Sequence, residues 1–285
     1  MITMKNWRES MSEDMRLRDM RPRTLEAYLL ATRLFLECIG KPPEALTEAD
    51  IRGYILHLRD EKRQAPSSIN IAICALRFFF NFTLQRDYEV FALLRVNRPR
   101  TLPVVLSRAE VKRLLGAVQH PVRRMALTTI YALGLRLGEG LHLQSSHIDS
   151  ARQMVWVRSG KGAKDRRVPL PKPLLHKLRQ YWKNERPVST LPLLFVSAEG
   201  KPIHETTLQK TFTAAQLELN LPRRATIHTL RHSYATHLVE HGISLRTIQD
   251  VLGHKSLHTT EVYMHVTVPG TERLQAVLDQ LMADL

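Results

Sequence analysis

Six polar side chains in the C-terminal half of the chain are of types that together can manage one reaction: Arg136, Lys161, His228, Arg231, His254 and Tyr263. Guanidinium and imidazole groups can hold a phosphodiester and neutralise charge that develops on it. A phenol can attack phosphorus, and a cationic acid can protonate the departing oxygen. No carboxylate cluster for a metal accompanies them, so neither a metal nor another cofactor is expected. The combination points to DNA strand breakage through a covalent link to tyrosine.

The local spacings carry part of this reading. His228 and Arg231 are three residues apart, which on a helix puts both on one face. There an imidazole and a planar guanidinium fork can reach two oxygens of one phosphate. Arg136 lies in Gly134-Leu135-Arg136-Leu137-Gly138-Glu139, a turn after a helix, with Glu139 near enough to orient it through a salt bridge. Lys161 sits between two glycines at the tip of an expected hairpin, inside a positive run. Tyr263 follows His254 by nine residues. Its phenol, with an ordinary pKa of about 10, needs cationic neighbours or a base to become a nucleophile. Each residue alone also has a plainer reading: a capping histidine, a helix-terminal cation, a loop charge, a core tyrosine. His232 is four residues from His228, and His241 four from His237, a spacing that suits zinc. No glutamate stands between them and no third ligand is evident, so a zinc site is not expected.

Composition agrees with a polyanionic partner. The 285 residues carry 42 Lys plus Arg against 27 Asp plus Glu, a formal net charge of +15. The excess is local: Arg95, Arg98, Arg100 and Arg108 lie in one stretch without a carboxylate, and Arg158, Lys161, Lys164, Arg166 and Arg167 lie in another against only Asp165. Arg95, Arg98, Arg100, Lys164 and Arg166 are therefore candidate DNA contacts. The segment after Gly270 turns acidic. Cys38 and Cys74, both in apolar helical patterns, read as reduced core thiols. No apolar run is long enough to span a membrane, and the polar, charged stretch from Met1 to Ser12 is unlike a secretory signal. A bacterial cytoplasmic location is the expectation.

The elements that must position these groups are mostly helical. The spacing of Leu25, Tyr28, Leu29, Phe35, Leu36 and Ile39 predicts a helix that begins near Pro22 and ends at Gly40. Thr47, with Asp50 three residues on, caps a second helix whose stripe is Ile51, Tyr54, Ile55 and Leu58. Ser67 or Ser68 caps a third, carrying Ile69, Ile73, Leu76, Phe80 and Leu84. A linker from Arg95 to Pro103 then separates a helical domain (residues 1–100) from a second domain (residues 101–285). In the second, helices are expected over Ser107–Val118, with Glu110 in a capping box, and over Pro121–Leu133. A hairpin follows, with Met154–Val157 and Arg166–Leu170 as its strands. Further helices are expected from Pro173, from about Glu205, over Ile227–His241, from Ser244 to Gly253, and from Ser256 through Tyr263. Leu274, Val277, Leu278, Leu281 and Leu285 have helical spacing at the end. The fold class is thus mainly α with a small β-hairpin or sheet.

Five motifs occur in order: Gly-Leu-Arg-x-x-Glu, Gly-Lys-Gly-x-Lys-x-Arg, His-x-Leu-Arg-His-x-x-Ala-Thr-x-Leu, Leu-Gly-His and Thr-Thr-x-x-Tyr. In these the chain resembles the tyrosine recombinase (phage integrase) superfamily, in its compact two-domain bacterial form. Gly138 and Gly140 depart from the more helix-friendly residues expected beside Glu139. The resemblance implies a helical core-binding domain and a catalytic domain that clamp duplex DNA in a C shape. It implies that Arg136 and Arg231 grip the scissile phosphate, that His228 and His254 add hydrogen bonds, and that Lys161 protonates the 5′ oxygen. Tyr263 would become a 3′-phosphotyrosine, and strand exchange would pass through a Holliday junction. The partners implied are two DNA sites and a tetramer, with the C-terminal helix docking into a neighbouring protomer or onto its own domain. A type IB topoisomerase shares the chemistry, and a non-catalytic DNA-binding regulator shares the charge.

Overall fold

The computed structural model describes residues 6–94, 96, 103–158, 165–221 and 225–253. The chain divides into two units, Met1–Arg100 and Thr101–Leu285. Arg95, Arg98, Arg100, most of the expected linker, the hairpin tip and everything after Gly253 lie outside the described residues.

The first unit is all helical: α1 (Trp7–Leu17), α2 (Pro22–Ile39), α3 (Glu48–Leu56), α4 (Pro66–Phe78) and the short α5 (Val90–Leu93). Pro22 opens α2 at its first turn, and Gly40 closes it in the left-handed conformation at φ 68°. Thr47 and Asp50 form the expected reciprocal cap of α3, and its stripe of Ile51, Tyr54, Ile55 and Leu58 is buried. Neither Ser67 nor Ser68 caps α4. Pro66 occupies its first turn behind Ala65, because a ring-fixed φ and a missing N–H suit that place. Both α3 and α4 run on into a π-helical turn, His57–Glu61 and Phe79–Thr83. Phe35 meets Tyr54 and Phe80 edge-to-face, Phe79 meets Phe80 likewise, and Phe91 packs tilted against Phe80, an aromatic core shared by α2, α3, α5 and the end of α4. Cys38 is exposed and Cys74 half-buried, so the two thiols are not core residues; Cys38 sits on the outer face of α2.

Helix α1 forms in the polar N-terminal stretch, outside the helices that the apolar spacing marks. Trp7, Met11 and Met15 recur every four residues and are buried, which is the whole of its apolar stripe. Asp14 on the same helix accepts a 2.7 Å bond from the Thr83 hydroxyl, tying α1 to the end of α4.

The second unit surrounds α7 (Pro121–Ala132) with α6 (Arg108–Ala117), α8 (Leu137–Leu141), α9 (Lys172–Asn184), α10 (Glu205–Glu218) and α11 (Ile227–Glu240). Ser107 and Glu110 cap α6 reciprocally. Three antiparallel strands form one sheet in the order β1 (Ile148–Asp149), β2 (Met154–Val157), β3 (Arg166–Pro169). Val155 pairs with Val168 on the core face, while Trp156 pairs with Arg167 on the outer face, the guanidinium stacked 4.1 Å from the indole ring. The short β1 was not anticipated; two residues carry no periodicity to read. Helix α12 (Leu245–Leu252), capped by Ser244, packs on α11 and β3 and ends at Gly253 with φ 66°. No helix among the described residues is long and apolar enough to cross a membrane.

Truncating α1 tests its part in the first core. Met11→Ala should lower the full chain's unfolding free energy by about 2–5 kcal/mol, the usual loss for a buried Met, read as a lower urea midpoint. A midpoint unchanged from wild type would mean that α1 contributes nothing to this core.

Candidate active site

The site is assembled where four helix ends and one strand meet. Helix α7 stops at Gly134, whose φ of 59° is left-handed and whose Cβ, if present, would sit 2.5 Å from a Tyr234 ring carbon. Only glycine fits both constraints. The reversal does two things. It turns the Gly134 carbonyl towards Arg231, whose Nη1 donates to it at 2.8 Å, and it makes Arg136 the residue that starts α8. Arg136 is therefore at a helix N-terminus, not at the tail of the preceding helix.

Glu139, one turn into α8, binds Arg136 twice. The Arg136 backbone N–H donates to Oε2 at 2.9 Å, and Nη1 donates to Oε1 at 2.7 Å. The same carboxylate takes a bidentate fork from Arg166 on β3, at 2.9 and 2.8 Å. Arg231 Nη1 lies 3.8 Å from Oε2. One carboxylate thus faces three guanidinium groups, and a surplus of two positive charges remains in the cluster.

Backbone oxygen absorbs part of that surplus. At the end of α12, Val251 O accepts from Arg166 Nε at 2.7 Å, Leu252 O from Arg231 Nη2 at 2.7 Å, and Gly253 O from Arg136 Nη2 at 3.4 Å. Three consecutive carbonyls at a helix C-terminus, where the dipole is negative, meet three arginines. The left-handed Gly253 allows this, since a Cβ there would come within 2.9 Å of Arg166 Cδ. The Arg231 and Arg166 side chains are 1% and 6% exposed, whereas Arg136 is 41% exposed and faces outward.

The ionisation states follow. Burial alone would raise the Glu139 pKa, but the hydrogen bonds and charge of Arg166, and then the bonds from Arg136, hold it at about 2. His228 stands on α11 one turn before Arg231. The protein packed around it, then the charges of Arg231 and Arg136, lower its pKa, so the ring is neutral at neutral pH. His232 meets His228 edge-on at 4.5 Å between ring centroids, and burial followed by His228 and Arg231 brings it to about 4. His237 bonds the Tyr131 hydroxyl, and His241 the His237 carbonyl. No group of three or more His, Cys, Asp or Glu among the described residues could hold a metal.

Of the six residues singled out in the sequence, Arg136, His228 and Arg231 come together here. Lys161, His254 and Tyr263 lie outside the described residues, as does Lys164. The flanking described residues are strands β2 and β3 on either side of the hairpin tip, and Gly253, which precedes His254. Arg166 does not fit the expected role of a DNA contact. Its guanidinium is buried and occupied by Glu139 and Val251, because on β3 it shares the inward face with Val168 while Arg167 points out. The two-residue alternation of the strand was the available signal for this. The carbonyls of Gly134 and of residues 251–253 had no signal in side-chain types at all.

Known proteins resemble this chain in sequence and in fold. The phage integrase family model matches residues 104–268, and the model of the phage integrase N-terminal SAM-like domain matches residues 7–90. An integrase/recombinase-type protein of Sinorhizobium fredii is 42% identical over 266 residues, covering 93% of this chain and 86% of that protein. The tyrosine recombinase XerA of Thermococcus kodakarensis is 34% identical over 269 residues, covering 92% and 93%. The crystal structure of XerH site-specific recombinase bound to palindromic difH substrate superposes with a TM-score of 0.74 at 22% identity, over 92% of this chain and 82% of that one; this likeness concerns the fold.

The Glu139 cluster should be visible in acid. Its carboxyl titrates near 2 in the folded chain against an ordinary 4.5, so its stabilisation is complete above pH 4.5 and is lost as pH falls towards 2. Glu139→Gln should cost about 3–5 kcal/mol at neutral pH by stranding buried cations. The gap between variant and wild type in urea unfolding should close over that acid window. A gap that stays constant from pH 6 to 2 would contradict the ion-pair account.

Proposed function

Because the chain belongs to the phage integrase family, we propose that it is a site-specific tyrosine recombinase that cuts and rejoins DNA strands through a 3′-phosphotyrosine. The single observation that best supports this reading is the convergence of Arg136, Arg231 and the neutral His228 on one surplus of positive charge.

In this reading Arg136, the exposed member, grips the non-bridging oxygens of the scissile phosphate. Arg231, buried, contributes a charge that solvent screens little. The Tyr263 oxygen forms a bond to phosphorus as the bond from phosphorus to the 5′ oxygen breaks. Lys161 gives that oxygen a proton, and the phenolic proton passes to a neighbouring base or water. His228 and His254 hydrogen-bond the phosphate; a neutral imidazole can both donate and accept, which a protonated one cannot. Fixed donors facing the developing negative charge do the work that a divalent ion does elsewhere. The phosphotyrosine preserves the energy of the ester, so a 5′ hydroxyl from a second strand can reverse the step without ATP. Two such rounds through a four-way junction recombine two duplexes. Arg95, Arg98, Arg100 and Lys164 are proposed contacts to the DNA backbone, and the apolar C-terminal segment around Leu274 to Leu281 a contact between protomers of a tetramer.

Tyr263→Phe should bind DNA as wild type does yet leave no covalent band on a denaturing gel after incubation with nicked suicide DNA. Wild type should form that band in EDTA as well. An adduct on the phenylalanine variant would identify a different nucleophile. Mixing two labelled duplexes should give hybrid products; relaxation of supercoils without any hybrid would favour a topoisomerase instead.

A further inference from the structure

We infer that Arg166 is a positioning residue for strand cleavage: it fixes the Glu139 carboxylate that aims Arg136 and anchors the end of α12 to the same point. The inference rests on the recombinase reading above and adds to it a residue that does not touch the DNA.

The geometry carries it. Glu139 has two oxygens, and Arg166 engages both, through Nη1 and Nη2. A bidentate fork fixes the plane of the carboxylate, which a single bond would leave free to rotate. With the plane fixed, Oε1 meets Arg136 Nη1 at 2.7 Å and Oε2 meets the Arg136 backbone N–H at 2.9 Å. Arg136 is the exposed partner, so its direction depends on this anchor more than on packing. Arg166 Nε reaches the third element, the Val251 carbonyl of α12. One guanidinium thus joins β3, α8 and α12, and the next carbonyls of α12 bind Arg231 and Arg136.

Without the fork, Glu139 is free to turn towards Arg231, already 3.8 Å from Oε2. Arg231 would then leave Gly134 O, and Arg136 would lose its aim. The neighbour on the strand does not substitute, since Arg167 faces the opposite side against Trp156. Lysine in place of arginine keeps the charge but offers one nitrogen for three acceptors set at different angles.

The test is a double-mutant cycle on the full chain, with DNA affinity and single-turnover adduct formation measured separately. Arg166→Lys should bind DNA with unchanged affinity and an unchanged salt slope, and should form the adduct roughly 100-fold more slowly, the scale of a misaimed catalytic group. Added to Glu139→Gln, it should slow the adduct far less than in the wild-type background, because the carboxylate is already gone and only the tie to Val251 remains to be lost. If Arg166→Lys does not fold, the pair Glu139→Gln/Arg166→Met removes both charges together and is compared with Glu139→Gln alone. An adduct rate equal to wild type would overturn the inference. So would the same slowing in both backgrounds, or a salt slope reduced by about one, the mark of a lost phosphate contact. Absence of any adduct with wild type would instead count against the recombinase reading itself.

Discussion

Like charges repel most strongly where water is scarce, and this site places two of its three arginines almost out of water. What holds them is Glu139 together with the carbonyls of Gly134 and of residues 251–253. These are fixed dipoles and one fixed charge, and they do not compensate the cations fully. The residual field is the useful product. A neutral cluster would be easier to fold and would have nothing to offer a phosphate.

The surrounding fold can be understood as a means of bringing those oxygens together. The left-handed glycines at 134 and 253 end two helices so that their last carbonyls aim inward. The sheet contributes a buried arginine because its alternation puts residue 166 on the same side as Val168. His228 and His232, edge to face on α11, stay uncharged in this field, so they add hydrogen bonding without adding to the repulsion.

Much of this was legible in the sequence where a local rule governs. Thr47 with Asp50 and Ser107 with Glu110 are reciprocal caps in the structure, Pro22 and Pro121 open helices, and Gly40, Gly134 and Gly253 close them. The Glu139 bridge to Arg136 was legible for the same reason, being three residues away. The rest depends on tertiary placement. Helix α1 buries only three apolar residues in a charged stretch, and its burial against Phe79 is what makes it a helix of the core. Arg166 belongs in sequence to a basic run, although its strand face separates it from Arg167. Cys38 belongs to an apolar pattern but falls on its outer edge. Backbone acceptors carry no residue type, so the oxygens that orient the arginines were invisible until the chain was folded.

Helix α8 has two glycines in five residues. Each costs roughly 1 kcal/mol of helical tendency relative to alanine, so this segment does not hold its shape on its own. Gly140 nevertheless has no room for a methyl, since a Cβ would lie 2.5 Å from Ile130 Cγ1. Beyond the local cap between Arg136 and Glu139, the floor of the site is thus knitted by long-range ties and close backbone approach. Its shape therefore depends on α7, β3 and α12 being in place around it.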